Sequence, residues 1–367
     1  MISTRDDNFL PVSKEADGQK IAFIIGNGFN FLVRDIVLAF PTNLLPTNLK
    51  TSKDDLANAI SAITSLWRRF EELFYELKDK NPRLNDEELI RMIYSVIDFF
   101  SSIEAFQKAL PHETIESIKE VFDFLLIDRI RDIAEEFRQH ENSEGYKDLK
   151  RLFPFFGDHF KSILERNNIK DCDFFTTNYD GILDTLLTRS TRDLGYLTVD
   201  GFGNNKDYPL YLRLYDDTLQ NNHIRCIHLH GSYRFEKKNG ETLKTRNDNN
   251  KANSDPVIIF NNPLFKEQLI RRDPVLNHYY NFMSSSLEEA DKLIIIGNSM
   301  QNEPHLKSLI QRKFKDPSQR LYICSRNPDQ VADQFKGVYF KNIVKRSTAS
   351  ITTIEDFLSL FNSLMND

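Results

Sequence analysis

The chain has 367 residues, 40% of them hydrophobic and 12% aromatic, with 29 phenylalanines. That apolar content builds a sizeable core and excludes a disordered chain; the length suits two domains or one domain with a large insertion. A formal net charge of -6 argues against a primary role on the nucleic-acid backbone, which needs a clustered basic face.

Met1 to Lys20 mixes charged and polar residues with no apolar signal-like region, and no later stretch approaches the roughly 20 apolar residues of a membrane span, so a soluble, cytoplasmic protein without a membrane partner is expected. The first strand is predicted over 21–25 and runs into Gly26-Asn27-Gly28-Phe29-Asn30. Backbone amides of such a turn, at the start of a helix, would approach a pyrophosphate. A hydride-transfer fingerprint needs a third glycine where Phe31 stands, and Gly201-Phe202-Gly203-Asn204-Asn205-Lys206 lacks the spacing and hydroxyl of a P-loop. Both readings are set aside.

Positions 53–168 break the strand–helix alternation. Leu56, Ile60, Ile63, Trp67, Phe70, Phe74 and Leu77 step by four and three, which predicts one apolar stripe on a helix of about six turns. Ile93, Val96, Phe100 and Ile103 form a second stripe, and Ile115, Ile118, Phe122 and Leu125 followed by Ile130, Ile133 and Phe137 a third. The expectation is a large helical insertion between the first two strands, acting as a cap on the sheet or as an oligomer or partner surface.

A second strand over 172–176 leads into Thr176-Thr177-Asn178-Tyr179-Asp180, with a helix starting at Ile182 to Leu187. Asn178 has two readings: a helix cap for orphan amides, or an amide that holds a ribose hydroxyl or a water. A third strand over 224–229 carries His228-Leu229-His230-Gly231-Ser232. Two residues apart on one strand, His228 and His230 are expected on the same face. No cluster of other ligands completes a metal site at a recognisable spacing, so no metal is expected, and His230 at the strand end is placed as a general base. Lys237 to Asn253 reads as a polar surface loop or a gate beside the site. Further strands are predicted over 256–260, 292–296 and 321–324, with Gly297-Asn298-Ser299 entering a helix over Glu303 to Phe314 and a closing helix over Ile354 to Met365.

Short apolar runs buried on both faces, alternating with helices, predict an α/β, Rossmann-like, doubly wound and mostly parallel sheet, whose ligands bind at the strand ends. Cys172, Cys226 and Cys324 are isolated and read as buried free thiols, against a disulfide framework or a structural zinc.

Four motifs in order, Gly26-Asn27-Gly28-Phe29, Thr176 to Asp180, His230-Gly231-Ser232 and Ile294-Ile295-Ile296-Gly297-Asn298-Ser299-Met300, resemble the sirtuin-like NAD-binding family, in particular the divergent bacterial branch found in antiphage defence. The resemblance covers the sheet elements from 21 to about 330 and implies one sirtuin-like domain over 1–367, with 53–168 inserted in it. It implies NAD as substrate, bound across the strand ends, with cleavage of the nicotinamide–ribose bond. Asn178 matches the family asparagine that positions the ribose or attacking water, and His230 the family histidine that accepts a proton. Gly26, Asn27, Gly28, Phe29, Asn30, Thr177, Tyr179, Asp180, Gly231, Ser232, Gly297, Asn298 and Ser299 would line the dinucleotide, and Asn327 after Arg326 would hold the adenosine ribose. Protein-deacetylating members carry two cysteine pairs on a zinc ribbon, absent here, and an acidic-aromatic-basic stretch where Asn30 to Asp35 stand. Both departures favour water as acceptor.

The activity then expected is an NAD hydrolase that depletes NAD in abortive infection. Being toxic, it would be held off until triggered, which implies a homo-oligomer, an ATPase partner or a phage-derived trigger protein. A non-catalytic NAD or ADP-ribose sensor or scaffold, and a zinc-independent deacylase or ADP-ribosyl transferase, are the alternatives.

Overall fold

A computed structural model describes residues 18–39, 52–65, 127, 130–152, 162–192, 198–207, 211–215, 219, 224–245, 255–259, 263–336 and 343–366, with isolated helical positions at 88, 92 and 95. In chain order the elements are β1 (Gln19–Ile25), α1 (Gly28–Ala39), α2 (Lys53–Ser65), α3 (Glu144–Leu152), β2 (Ile169–Thr176), α4 (Ile182–Arg192), β3 (Thr198–Val199), β4 (Phe202–Asn204), β5 (Tyr211–Leu214) and β6 (Ile224–His228). They continue with β7 (Gly231–Lys238), β8 (Glu241–Thr245), β9 (Asp255–Ile258), α5 (Lys266–Arg272), α6 (Pro274–Glu289), β10 (Lys292–Ile296), α7 (Pro304–Lys313), β11 (Arg320–Ser325), α8 (Pro328–Asp333), β12 (Ile343–Ser347) and α9 (Ile354–Asn366).

Seven strands form one sheet in the order β12-β11-β10-β1-β2-β6-β3, every pair parallel. The α/β, Rossmann-like expectation holds. The chain leaves β1 towards β2 on one side and takes up β10 on the other, so the switch point lies at β1, where doubly wound sheets bind ligands. Alternate residues of each strand face opposite cores. Phe23, Ile25, Phe174, Ile294 and Tyr322 join one core with α1 and α9, and Ala22, Ile24, Phe175, Ile295 and Ile323 join the other with α6 and α7. On the first face the rings of Phe23 and Phe174 stack at 4.5 Å and Phe361 of α9 closes over Phe23 at 5.7 Å.

The described parts of 53–168 are helical: α2, residues 130–141, α3 and residues 162–166. Ile60, Ile130, Ile133, Phe137, Tyr146 and Ile163 from these parts are buried in the first core, where α2 also packs on α1. Trp67, Phe70, Phe74 and Leu77, the stripe from Ile93 to Ile103, and the stripe from Ile115 to Leu125 lie outside the described residues.

Two expectations are corrected by a second sheet, antiparallel, in the order β4-β5-β8-β7-β9. The run over 256–260 supplies β9, which pairs antiparallel with β7 instead of joining the parallel sheet. The first part of the polar stretch from Lys237 is the β7–β8 hairpin, and residues 246–254 lie outside the described residues. Its turn is Asn239-Gly240, with φ of 51° and 83°. An Asn-Gly pair with two positive φ values is the two-residue connection whose twist matches the flanking strands, so the polarity of this stretch marks a solvated hairpin. The predicted helices after Asp180, over Glu303 to Phe314 and over Ile354 to Met365 are α4, α7 and α9. All three cysteines are buried and free.

Candidate active site

The parallel register places Cys324, Ile296, Ile25, Thr176 and His228 in one row across five strands. The segments that follow, which carry the sequence-predicted residues, therefore emerge side by side at the carboxyl edge of the sheet. Gly26 is buried and Asn27 and Gly28 are exposed at that edge. Gly26 and Gly297 exist for backbone proximity. A Cβ on Gly26 would meet the Gly297 carbonyl oxygen at 2.7 Å and Asn298 Cα at 2.8 Å, and Gly297, at φ +64°, would drive one into the Phe29 amide. The Gly28 amide donates to the Gly297 carbonyl at 2.9 Å, while those of Phe29 and Asn30 donate to Gly26 and Asn27 at 2.9 and 3.0 Å. The glycine turn is thus locked to the loop after β10, and these three amides are already spent inside the fold.

Asn178 is not the cap of α4. That task falls to Asp180, whose Oδ1 accepts from the Ile182 amide at 2.9 Å. The other Asp180 oxygen accepts from Asn30 Nδ2 at 2.8 Å, and Asn30 Oδ1 in turn accepts from Asn178 Nδ2 at 3.3 Å. Three buried polar side chains from the β1 and β2 ends so hold one another, and the Asn178 backbone amide is fixed by Thr176 Oγ1 at 3.0 Å. Burial raises the Asp180 carboxyl above its ordinary value, against the pull of the Ile182 amide and Asn30. Thr177 is tied across β1 to the β10 loop, its Oγ1 accepting from Asn298 Nδ2 at 3.0 Å.

The two histidines do not share a face. β6 ends at His228, and a turn at 229–230 followed by Gly231 at φ +82° redirects the chain into β7, so period-two alternation no longer governs His230. His228 is buried between the Asn178 carbonyl, 2.9 Å from Nδ1, and Asp184 Oδ2, 2.5 Å from Nε2. Burial pulls its pKa down, Asp184 raises it by more, and the net result lies above the ordinary histidine value. Asp184 ends below the usual carboxylate range: burial raises it, and His228 and Lys244 outweigh that.

His230 is also buried, but its Nε2 lies 3.2 Å from His305 Nε2 and 3.4 Å from Glu303 Oε2. Burial, with Lys266 and His305 adding to it, holds its pKa well below the ordinary value, so the imidazole is neutral near pH 7 and one ring nitrogen keeps its lone pair as an acceptor. Burial and Lys266 bring His305 down to about 3. The His230 turn is knitted to the Asn178 segment: the Tyr179 carbonyl accepts from the Tyr233 amide and Ser232 Oγ, both at 3.2 Å. Tyr179 donates its hydroxyl to the Ile259 carbonyl at 2.9 Å, whose own amide donates to the His230 carbonyl at 2.7 Å.

The fold thus brings Gly26 to Asn30, Thr177 to Asp180, His230 to Ser232 and Gly297 to Asn298 to one edge, with Ser299 exposed beside them. Asn327 is exposed two strands away, where its side chain caps α8 by accepting from the Gln330 amide at 3.4 Å. Glu303, His305, Lys266, Asp184 and Glu141 were not singled out from the sequence. A readable signal existed for two of them, since Glu303-Pro304-His305 opens a helix directly after the Gly297 motif. Glu141 comes from the helical stretch 130–141, accepting from the Gly181 amide at 3.1 Å and from the Tyr233 hydroxyl. Among the described residues two groups have the donor types of a cation site, Asp184 with Cys226 and His228, and His230 with Glu303 and His305. Each already faces a lysine, Lys244 at 3.9 Å from Asp184 and Lys266 at 3.0 Å from Glu303.

Residues 173–343 match the family model described as SIR2-like domain. The matched segment contains Asn178, His230, the Gly297 loop and Asn327. It supports a sirtuin-like family and an NAD-related function, and it is compatible with NAD-dependent enzymatic activity. No curated protein matches the chain.

Proposed function

We propose that this chain is an NAD hydrolase that releases nicotinamide and ADP-ribose. The observation that carries the reading is the division of labour at the β2 end: Asp180 caps α4, which leaves the Asn178 side chain, anchored by Asn30, for a ligand, beside a strand end that presents a buried neutral imidazole. In the reaction the bond between ribose C1′ and the nicotinamide nitrogen breaks with its electron pair going to nicotinamide. A water oxygen bonds to C1′ and its proton passes to His230. The leaving group starts cationic and departs neutral, so no general acid is required, and the protein's task is to orient the ribose and water and to take one proton. Asn178 performs the first and His230 the second. Asn27, Gly28, Asn298 and Ser299 at the switch point line the dinucleotide, and no metal takes part.

The resemblance to the antiphage branch supports NAD depletion during phage infection as the role, in a cytoplasmic homo-oligomer triggered by a phage-derived or ATPase partner. No helix among the described residues is long and apolar enough to cross a membrane. One domain over 1–367 is proposed, with the helical segments between β1 and β2 as its regulated insertion; the Glu141 contacts to Gly181 and Tyr233 support a link from them to the site.

Incubating the purified full chain with NAD, alone and with a candidate trigger, and measuring nicotinamide and ADP-ribose tests the reading. Asn178→Ala and His230→Ala should each remove product formation while circular dichroism stays native. Full activity in either variant ends the corresponding assignment, and tight NAD binding without turnover under every condition replaces hydrolysis with sensing.

A further inference from the structure

We infer that His305 is the positioning residue that fixes the tautomer of His230 and shares its proton, with Glu303 and Lys266 holding His305 in register. The inference rests on reading His230 as the proton acceptor. Two buried imidazoles whose Nε2 atoms lie 3.2 Å apart must place one hydrogen between them. The neighbours decide whose it is. His305 Nδ1 is buried without a hydrogen-bond partner among the described residues, and the nearest acidic atom is Glu303 Oε2 at 3.7 Å. Were the shared hydrogen carried by His305, its Nδ1 would turn a bare lone pair towards a carboxylate in a low-dielectric site, which is repulsive. Carried by His230, it leaves His305 protonated on Nδ1, facing that carboxylate. The 3.4 Å approach of Glu303 Oε2 to His230 Nε2 favours a proton there as well.

His230 then has N–H on Nε2 and a lone pair on Nδ1, and Nδ1 is the atom that takes the proton of the attacking water. As it does so, the Nε2 proton moves towards His305 Nε2, and because burial and Lys266 disfavour the charged form of both rings, the positive charge is transient and shared over the pair beside Glu303. One proton enters the pair and none leaves until product departs. The surroundings hold the geometry. Lys266, 1% exposed, donates to Glu303 Oε1 at 3.0 Å and so aims the other oxygen at the imidazoles. Tyr280 stacks on the His305 ring at 6.2 Å and donates its hydroxyl to the His305 carbonyl at 3.3 Å, and the Tyr179 ring lies 6.4 Å from His230.

Nitrogen NMR of the histidine-labelled full chain reads the tautomers directly, with His305→Gln assigning the two signals. The expected result is Nε2–H on His230 and Nδ1–H on His305; the reverse pair overturns the inference. His305→Gln keeps an acceptor for the His230 proton and cannot carry the charge onward. Its kcat should fall about 100-fold with KM for NAD within about two-fold, and the acid limb of its pH profile should shift. Imidazole added to His305→Gly should restore part of the rate. Native kcat and pH profile in His305→Gln also overturn the inference. A native chain with the expected tautomers but no nicotinamide release leaves the pairing standing and removes the hydrolase reading instead.

Discussion

Asn30 and Asp180 are 150 positions apart in the chain and joined by a buried 2.8 Å hydrogen bond, Asn30 Nδ2 to Asp180 Oδ2. Through it the turn after β1 fixes the turn after β2, and Asn178 is held from both. Asn30→Ala should therefore act on function and stability together. It leaves a buried carboxylate short of a donor, a cost of about 1–3 kcal/mol, and it frees the Asn178 amide, for which we expect a 10- to 100-fold lower kcat. Urea unfolding and nicotinamide release measure the two effects; native kcat would show that Asn178 does not need this anchor.

His228 predicts a pH-dependent contribution to stability. Its folded pKa lies above its unfolded value of about 6.5, because Asp184 outweighs burial. The contribution is therefore fully present below about pH 6.5 and is lost as pH rises through the folded pKa. The melting temperature of His228→Gln should fall furthest below native near pH 6, with the gap narrowing towards pH 9. A gap that stays constant with pH would contradict a charged His228.

Gly231 and Gly240 share a left-handed backbone, at φ +82° and +83°, and differ in surroundings. A Cβ at Gly231 would collide with the Val257 carbonyl, whereas nothing lies within 4 Å of one at Gly240. Gly240→Ala should cost about 1–2 kcal/mol from backbone strain alone. Gly231→Ala should prevent β9 from pairing with β7 and misplace His230. Comparison of soluble yield and thermal unfolding separates the two variants, and equal losses would remove the packing argument.

Arg138, in the helical stretch 130–141, donates to Glu236 Oε1 of β7 at 2.9 Å and to the Tyr233 carbonyl at 3.1 Å, and Glu236 is 0% exposed. Arg138→Met removes the charged partner of that carboxylate, leaving it the Tyr211 hydrogen bond, and should destabilise by about 3 kcal/mol, while the double variant with Glu236→Gln should recover part of the loss. Chemical denaturation of the single and double variants decides it; additive losses would mean that the pair is not coupled.

Much of the sheet was legible because strands buried on both faces tend to be continuous apolar runs, as 21–25, 293–296 and 321–324 are. The short β3 and the partly exposed β12 lack that pattern, and β9 has it yet lies in the other sheet. An apolar run reports burial and says nothing of its neighbour. The β7–β8 hairpin was signalled by Asn239-Gly240 but masked by the charged residues of its solvated strands.

By itself the sequence determined which residue types stand at the strand ends, with Asn178, His230 and the glycine turns among them, since local spacing and punctuation suffice for that. Only the tertiary structure decided their duties. Asp180 took the cap from Asn178, and Gly231 turned His230 away from His228 and into the company of His305, Glu303 and Lys266. Those partners come from distant segments, and a hydrogen bond or a pKa depends on distance and burial, which the order of residues along the chain does not contain.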